Sequence, residues 1–194
     1  MANSASAQNQ PVRARPVVLL DIDDCLATNR AFNTRQVIAA LSGESSVDAE
    51  AVWQGVFHEA AKQNLRLLHD EFGPCYVLSS SWTLHLSKEQ LGQTFMLTGL
   101  EFVAENLHEQ WCTPRDDDSY RLIEIDAWID TYALSATAPY LIIDDNLSGQ
   151  SLRDSHLEAN TVFCEPWTGF MYPQLRRARE ILRRQVCVED SEIS

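Results

Sequence analysis

Two short apolar runs in this chain each stop at paired acids. Pro16 to Leu20 (PVVLL) runs into Asp21-Ile22-Asp23-Asp24, and Tyr140 to Ile143 (YLII) runs into Asp144-Asp145. The DxD spacing allows two jobs in one loop. Asp21 can attack a phosphorus atom and form an aspartyl-phosphate. Asp23 can protonate the leaving oxygen and later deprotonate the attacking water. The plainer reading is an acidic turn that solvates a sheet end. Asp144 and Asp145 offer hard oxygen ligands of the kind Mg²⁺ takes. Beside Asp21 they would make a pocket too repulsive to exist without a cation. Two independent strands ending this way favour chemistry over solvation. A third run, Cys75 to Leu78 (CYVL), leads into Ser79-Ser80-Ser81-Trp82. A hydroxyl at a strand end can hydrogen-bond a phosphoryl oxygen. Ser79 comes first and Ser80 is the fallback, while a turn or helix N-cap is the plainer reading. Trp82 either packs this loop or stacks on a substrate ring, and packing is the expectation.

Such chemistry needs elements that bring positions 21, 79 and 144 to one edge. PVVLL, CYVL, YLII and Asn160 to Cys164 (NTVFC) are short, continuous apolar runs and read as buried strands. Residues 32–72 lack proline and read as helical, with a break at 42–46 and a stop at Phe72-Gly73-Pro74. Residues 83–118 are less regular, with a short helix over 84–92 and a solvated loop or helix start at Asp116-Asp117-Asp118. Ser119 to Leu134 is amphipathic through Leu122, Ile125, Trp128, Ile129 and Tyr132. A last amphipathic helix is expected over Tyr172 to Gln185. The alternation predicts an α/β fold, a doubly wound parallel sheet with ligands at the carboxyl ends of its strands. Residues 1–15 read as a disordered tail and 16–187 as a single domain. A small helical cap is expected within 29–60, and 188–194 read as a frayed tail.

Composition narrows the function classes. The 194 residues carry a formal net charge of -13. That charge repels nucleic-acid backbones and anionic membranes and argues against tight duplex binding. The basic cluster Arg176, Arg177, Arg179, Arg183 and Arg184 reads as a solvated helix face, with a ligand-binding role as the alternative. Five cysteines without a CxxC pair point to a reducing, cytoplasmic setting. The histidines lack zinc-ligand spacing. No apolar run approaches ~18 residues, so no membrane helix is expected. The first fifteen residues lack the apolar core of a secretory signal. Oligomeric state is not legible.

The order strand-DxDxCL, strand-Ser, basic residue, strand-DD resembles the four motifs of the haloacid dehalogenase (HAD) superfamily. The phrases VLSSSW, RLIEIDAWI, YLIIDD and CEPWTGF look like a HAD branch found fused to RNA-repair modules and also as stand-alone bacterial and phage proteins. The resemblance covers nearly all of residues 16–185 and implies a HAD-like Rossmannoid fold. It implies Asp21 as nucleophile, Asp23 as acid/base and Ser79 as phosphate ligand. Asp145 becomes the better Mg²⁺ ligand, with Asp144 in support and the Asp23 backbone carbonyl facing the metal. A lysine or arginine should neutralise the phosphate. Only Lys62 and Lys88 exist, and neither lies on the helix before YLIIDD. Arg121 is therefore chosen, with Arg115 as runner-up. Cys25 stands where the family usually has threonine. The expected activity is an Mg²⁺-dependent phosphatase acting on a small phosphorylated substrate, with RNA or nucleotide ends as candidates. The alternative is a catalytically silent HAD-like module for metal binding or interaction. A receiver-type phosphoacceptor would want a strand-end aspartate between Asp21 and Ser79, which is lacking. Haloacid dehalogenation needs no metal, so the Asp144-Asp145 pair counts against it.

Overall fold

The computed structural model describes residues 14–28, 32–115, 119–132 and 138–191, with 187–191 described by backbone alone. The acidic run 116–118, the end of the helix expected to reach Leu134, and most of the expected N-terminal tail lie outside these residues. Arg15, at the end of that tail, donates to the carbonyl of Pro74 at 2.9 Å and to those of Gly73 and the Asn106 side chain.

Five parallel strands form one sheet: β1 (Val17–Leu20), β2 (Cys75–Leu78), β3 (Leu107–Cys112), β4 (Tyr140–Asp145) and β5 (Thr161–Cys164), in the order β3-β2-β1-β4-β5. The α/β expectation holds, and the central strand is the one that Asp21 follows. Four of the five were read from their apolar runs. The fifth, β3 (LHEQWC), falls in the stretch read as irregular. It is an edge strand with two exposed residues at its centre, so it lacks the apolar run that marks a buried strand.

Seven α-helices occur among the described residues. Between β1 and β2 lie α1 (Thr34–Leu41), α2 (Ala49–Gly55) and α3 (Glu59–Phe72). The break after α1 was expected; a second, at 56–58, separates α2 from α3. Gly73 closes α3 at φ 55°, in the left-handed conformation that glycine adopts at little cost. Then come α4 (Lys88–Leu97), where a helix over 84–92 was expected, and α5 (Glu101–Glu105). α6 (Arg121–Tyr132) precedes β4, and α7 (Tyr172–Ser191) runs past Gln185. Within 29–60, the cap region of the sequence reading, Val37 of α1 and Val52 of α2 join the same buried cluster as Leu20 and Leu78. The basic face of α7 pairs with acids: Arg177 with Glu180 at 3.6 Å, and Arg179 with Glu71 at 2.7 Å.

Strand alternation divides the core. Val18, Leu20, Tyr76, Leu78, Leu141 and Ile143 face the cluster that includes α3 and α7. Leu19, Val77 and Ile142 face the other, with Ile125 and Trp128 of α6. Successive strand residues point to opposite faces, so Asp21, Ser79 and Asp144 continue the α6 side.

The loop after β1 is braced by the segment after β5. Phe170 N–H donates to the Cys25 carbonyl at 2.8 Å, and Trp167 N–H to Asp24 Oδ1 at 2.9 Å. Gly169 makes this approach feasible. Its φ is +83°, and a β-carbon there would lie 2.8 Å from the Cys25 carbonyl oxygen. The Gly169→Ala variant should lose about 2 kcal/mol or more, from the left-handed backbone and the backbone clash together. Chemical denaturation checks this; an unchanged midpoint would contradict the bracing described.

Candidate active site

The register of the sheet builds the site. Leu20 pairs with Leu78 on one side and Ile143 on the other. The next residue along each strand is therefore Asp21, Ser79 and Asp144, side by side at the carboxyl end. All three are buried, as are Ser80 and Asp145. Carboxylate oxygens of Asp21, Asp144 and Asp145 all lie within 4.8 Å of one another. Such a cluster is unfavourable unless positive charge enters it.

α6 supplies that charge. Arg121 is the first residue of the helix and sits four and seven positions before Ile125 and Trp128, on the stripe that packs against the sheet. The residue is only 6% exposed, and its guanidinium reaches several strands at once. Nη2 lies 3.4 Å from Asp21 Oδ1, Nε 2.7 Å from Asp144 Oδ2 and Nη1 3.2 Å from Ser79 Oγ. The Asp144 contact is an ion pair not aligned as a hydrogen bond, so both atoms lack a hydrogen-bond partner. Burial alone would lower the Arg121 pKa. Asp144, Asp21 and Glu124 outweigh that and hold it above its usual value. Arg115, the runner-up, is one step removed: its Nε lies 3.5 Å from Glu124 Oε1.

The acids respond in the opposite sense. Burial, then repulsion from Asp144, pushes the Asp21 carboxyl well above the usual range, against the pull of Arg121. Burial likewise raises Asp144 to about 6, opposed by Arg121 and by a hydrogen bond from Ser148. Ser148 Oγ lies 2.8 Å from Asp144 Oδ1 and also contacts Asp145 and Asp21. Leu147 N–H donates to Asp145 Oδ1 at 2.6 Å.

The cluster fits a divalent metal ion. Asp21, Asp144, Asp145 and Glu124 offer four negative charges against two from Arg121 and Arg115, leaving the charge of one divalent cation to be balanced. The donors are hard oxygens. Asp144 Oδ2 is a buried acceptor with no hydrogen bond.

Asp23 stands apart from this group. Its side chain is exposed and turns toward the loop after β2. Trp82 Nε1–H donates to Asp23 Oδ1 at 2.9 Å and Ser81 Oγ–H to Oδ2 at 3.1 Å. Of Asp21, Asp23, Asp144 and Asp145, the acids that could serve a metal, only Asp23 has its carboxylate outside the cluster. The Cys25 thiol is fully buried. Burial, then its hydrogen bond with Cys164, raises its pKa well above the ordinary value, so a thiolate there is disfavoured. Ser80 Oγ is buried without a hydrogen-bond partner.

Two contributors, Glu124 and Ser148, were not singled out in the sequence. Glu124 holds Arg121 Nη1 at 3.2 Å and accepts from Ser119 Oγ at 2.8 Å. Its spacing of three residues from Arg121 was a readable signal. Ser148, three residues after Asp145, was readable only as a turn hydroxyl. Trp82 packs as expected, with Phe57 at a ring separation of 5.8 Å, but its bond to Asp23 has no sequence signal. A cleft of about 440 Å³ adjoins the cluster, lined by Tyr120, Arg121, Glu124, Leu147 and Ser148 among others. No helix among the described residues is long and apolar enough to cross a membrane.

A parallel α/β sheet, with a DxD loop after its central strand and an acid pair after the next, defines a domain of the HAD type. The chain belongs to the family described as the HAD domain in Swiss Army Knife RNA repair proteins, whose model matches residues 17–175. No curated protein and no solved structure matches the chain.

The raised Asp144 carboxyl has a signed consequence. Its folded value, about 6, exceeds the ordinary 3.8, so the folded state binds this proton more tightly than the unfolded state. The resulting stability is complete below the ordinary value and is lost as pH rises through about 6. In chelator, the native chain should lose on the order of 1–3 kcal/mol relative to Asp144→Asn between about pH 4 and 7. Urea unfolding measures the difference; parallel pH profiles would refute the buried-charge assignment.

Proposed function

We propose that the chain is a metal-dependent phosphatase that works through an aspartyl-phosphate on Asp21. The observation that carries this reading is the sheet register, which sets Asp21, Ser79 and Asp144 side by side with Arg121 across them. Asp21 attacks the phosphorus of a phosphomonoester in line, and the bond from phosphorus to the leaving oxygen breaks. Asp23 gives its proton to that oxygen. Water then attacks the same phosphorus, Asp23 takes the water's proton, and the P–O bond to Asp21 breaks to release phosphate. Ser79 and Arg121 bind the phosphoryl oxygens, with Ser80 as a further hydroxyl in that loop. Mg²⁺ would be held by Asp21, Asp145 and the Asp23 carbonyl, with Asp144 in support, and would supply the charge neutralisation that brings a phosphate to a carboxylate.

The absence of a lysine on the helix before YLIIDD favours the binding-only alternative. Arg121, 3.4 Å from Asp21, puts a fixed cation in the pocket and supports catalysis instead. The substrate class we favour is a small, nucleotide-like phosphomonoester. The family's occurrence in RNA repair proteins supports a nucleotide or an RNA end as its carrier. The net charge of -13 favours an end over a long tract of backbone. The free cysteines among the described residues suit a reducing cytoplasm.

Screening nucleotides, sugar phosphates, phosphorylated RNA ends and p-nitrophenyl phosphate tests the proposal. Phosphate release should require Mg²⁺ and fall at least about 10³-fold in Asp21→Asn. An Asp21→Asn rate equal to the native one would end the catalytic reading.

A further inference from the structure

Asp23 is the one member of the proposed machinery that the acid cluster does not hold. Its side chain is exposed, and an exposed carboxylate normally samples several rotamers. Here both of its oxygens are engaged, by two donors of unequal rigidity. Trp82 is 1% exposed and wedged against Phe57, which in turn stacks on Phe95 at 6.0 Å. Its indole N–H is a fixed donor, aimed at Oδ1 over 2.9 Å. Ser81 is a rotatable hydroxyl, only partly buried, at 3.1 Å from Oδ2. Both donors come from the single-turn helix Ser81–Leu84, which follows β2 after only Ser79 and Ser80. The element that brings the phosphate-binding serine to Asp21 therefore also brings the donors to Asp23.

We infer that Trp82 is a positioning residue for the acid/base step, and that it selects Asp23 Oδ2 as the oxygen that carries the proton. This inference rests on the phosphatase reading. With Oδ1 pinned by the buried indole, only Oδ2 can exchange its partner. It trades the Ser81 hydroxyl for the substrate's leaving oxygen, gives up its proton as the phosphorus–oxygen bond breaks, and later takes one from water. Trp82 touches neither substrate nor phosphorus. Its contribution is orientation, and a misplacement of about 1 Å in such a group can cost on the order of 10²-fold in rate.

Leaving groups separate this role from a merely structural one. A dinitrophenyl phosphate expels a stable phenolate and needs no proton from the enzyme. A simple alkyl phosphate expels an alkoxide and does. The parameter to compare is kcat/KM, because it reports on events up to leaving-group departure and excludes the later hydrolysis shared by both esters. Trp82→Phe keeps an aromatic ring in the core and removes the N–H. It should lower the alkyl-to-dinitrophenyl ratio of kcat/KM by about 10- to 100-fold. In an Asp23→Asn background the same substitution should leave that ratio unchanged. The dinitrophenyl ester also reports folding, since a collapsed variant would lose it too. Equal loss on both esters, or loss on neither, overturns the inference while leaving the phosphatase reading intact. A native chain inactive on both esters overturns the phosphatase reading itself, and the inference with it.

Discussion

Three carboxylates buried at the end of one sheet repel each other, and the surrounding structure depends on how that repulsion is contained. Asp21, Asp144 and Asp145 offer oxygens within 4.8 Å. A single guanidinium, itself withdrawn from water, is drawn in among them by Coulomb forces that burial strengthens. Such a cluster is a poor source of stability, since each ion loses its hydration. Its value lies in what it can accept. Burial, and beyond it the repulsion among the acids, keeps the carboxyls of Asp21 and Asp144 raised even with Arg121 among them. In the function proposed, a divalent cation would add positive charge there, and a phosphate dianion could then approach acids that would otherwise expel it.

The backbone around the cluster is arranged to the same end. Asp24 and Trp167 both have positive φ, at 53° and 68°, and they are joined by the bond from Trp167 N–H to the Asp24 carboxylate. Strained residues of this kind persist only where their surroundings over-determine them. Here they fold the loop after β1 against the segment after β5. Asp21 continues its strand, while Asp23 swings out to meet Trp82. Two aspartates two residues apart thus enter different environments, one dry and crowded by like charge, the other exposed and fixed by neutral donors. The proposed mechanism uses that difference, with Asp21 attacking and Asp23 carrying protons.

Much of this was legible in the residues because parallel strands buried on both faces advertise themselves. PVVLL, CYVL and YLII are continuous apolar runs, and the polar residues that follow them sit where such sheets bind ligands. Arg121 was legible only through the family resemblance, which calls for a basic residue where neither lysine lies; its place on the inward stripe with Ile125 and Trp128 came from the structure. β3 was not legible, because an edge strand with a polar centre carries no such run. The second helix break at 56–58 was also missed, since the surrounding pattern stays apolar through Val56 and Phe57. The bond between Trp82 and Asp23 spans 59 positions and exists only because β1 and β2 pair in one register. Local patterns hold no trace of it.

The account's central claim is that Asp21 becomes covalently phosphorylated. The most direct measurement is borohydride trapping during turnover with Mg²⁺, followed by peptide mass spectrometry. An aspartyl-phosphate is reduced to homoserine, whereas a free aspartate is untouched. The account predicts homoserine at position 21, dependent on both substrate and Mg²⁺. Steady release of phosphate with Asp21 unmodified, or with the label on another residue, would contradict it.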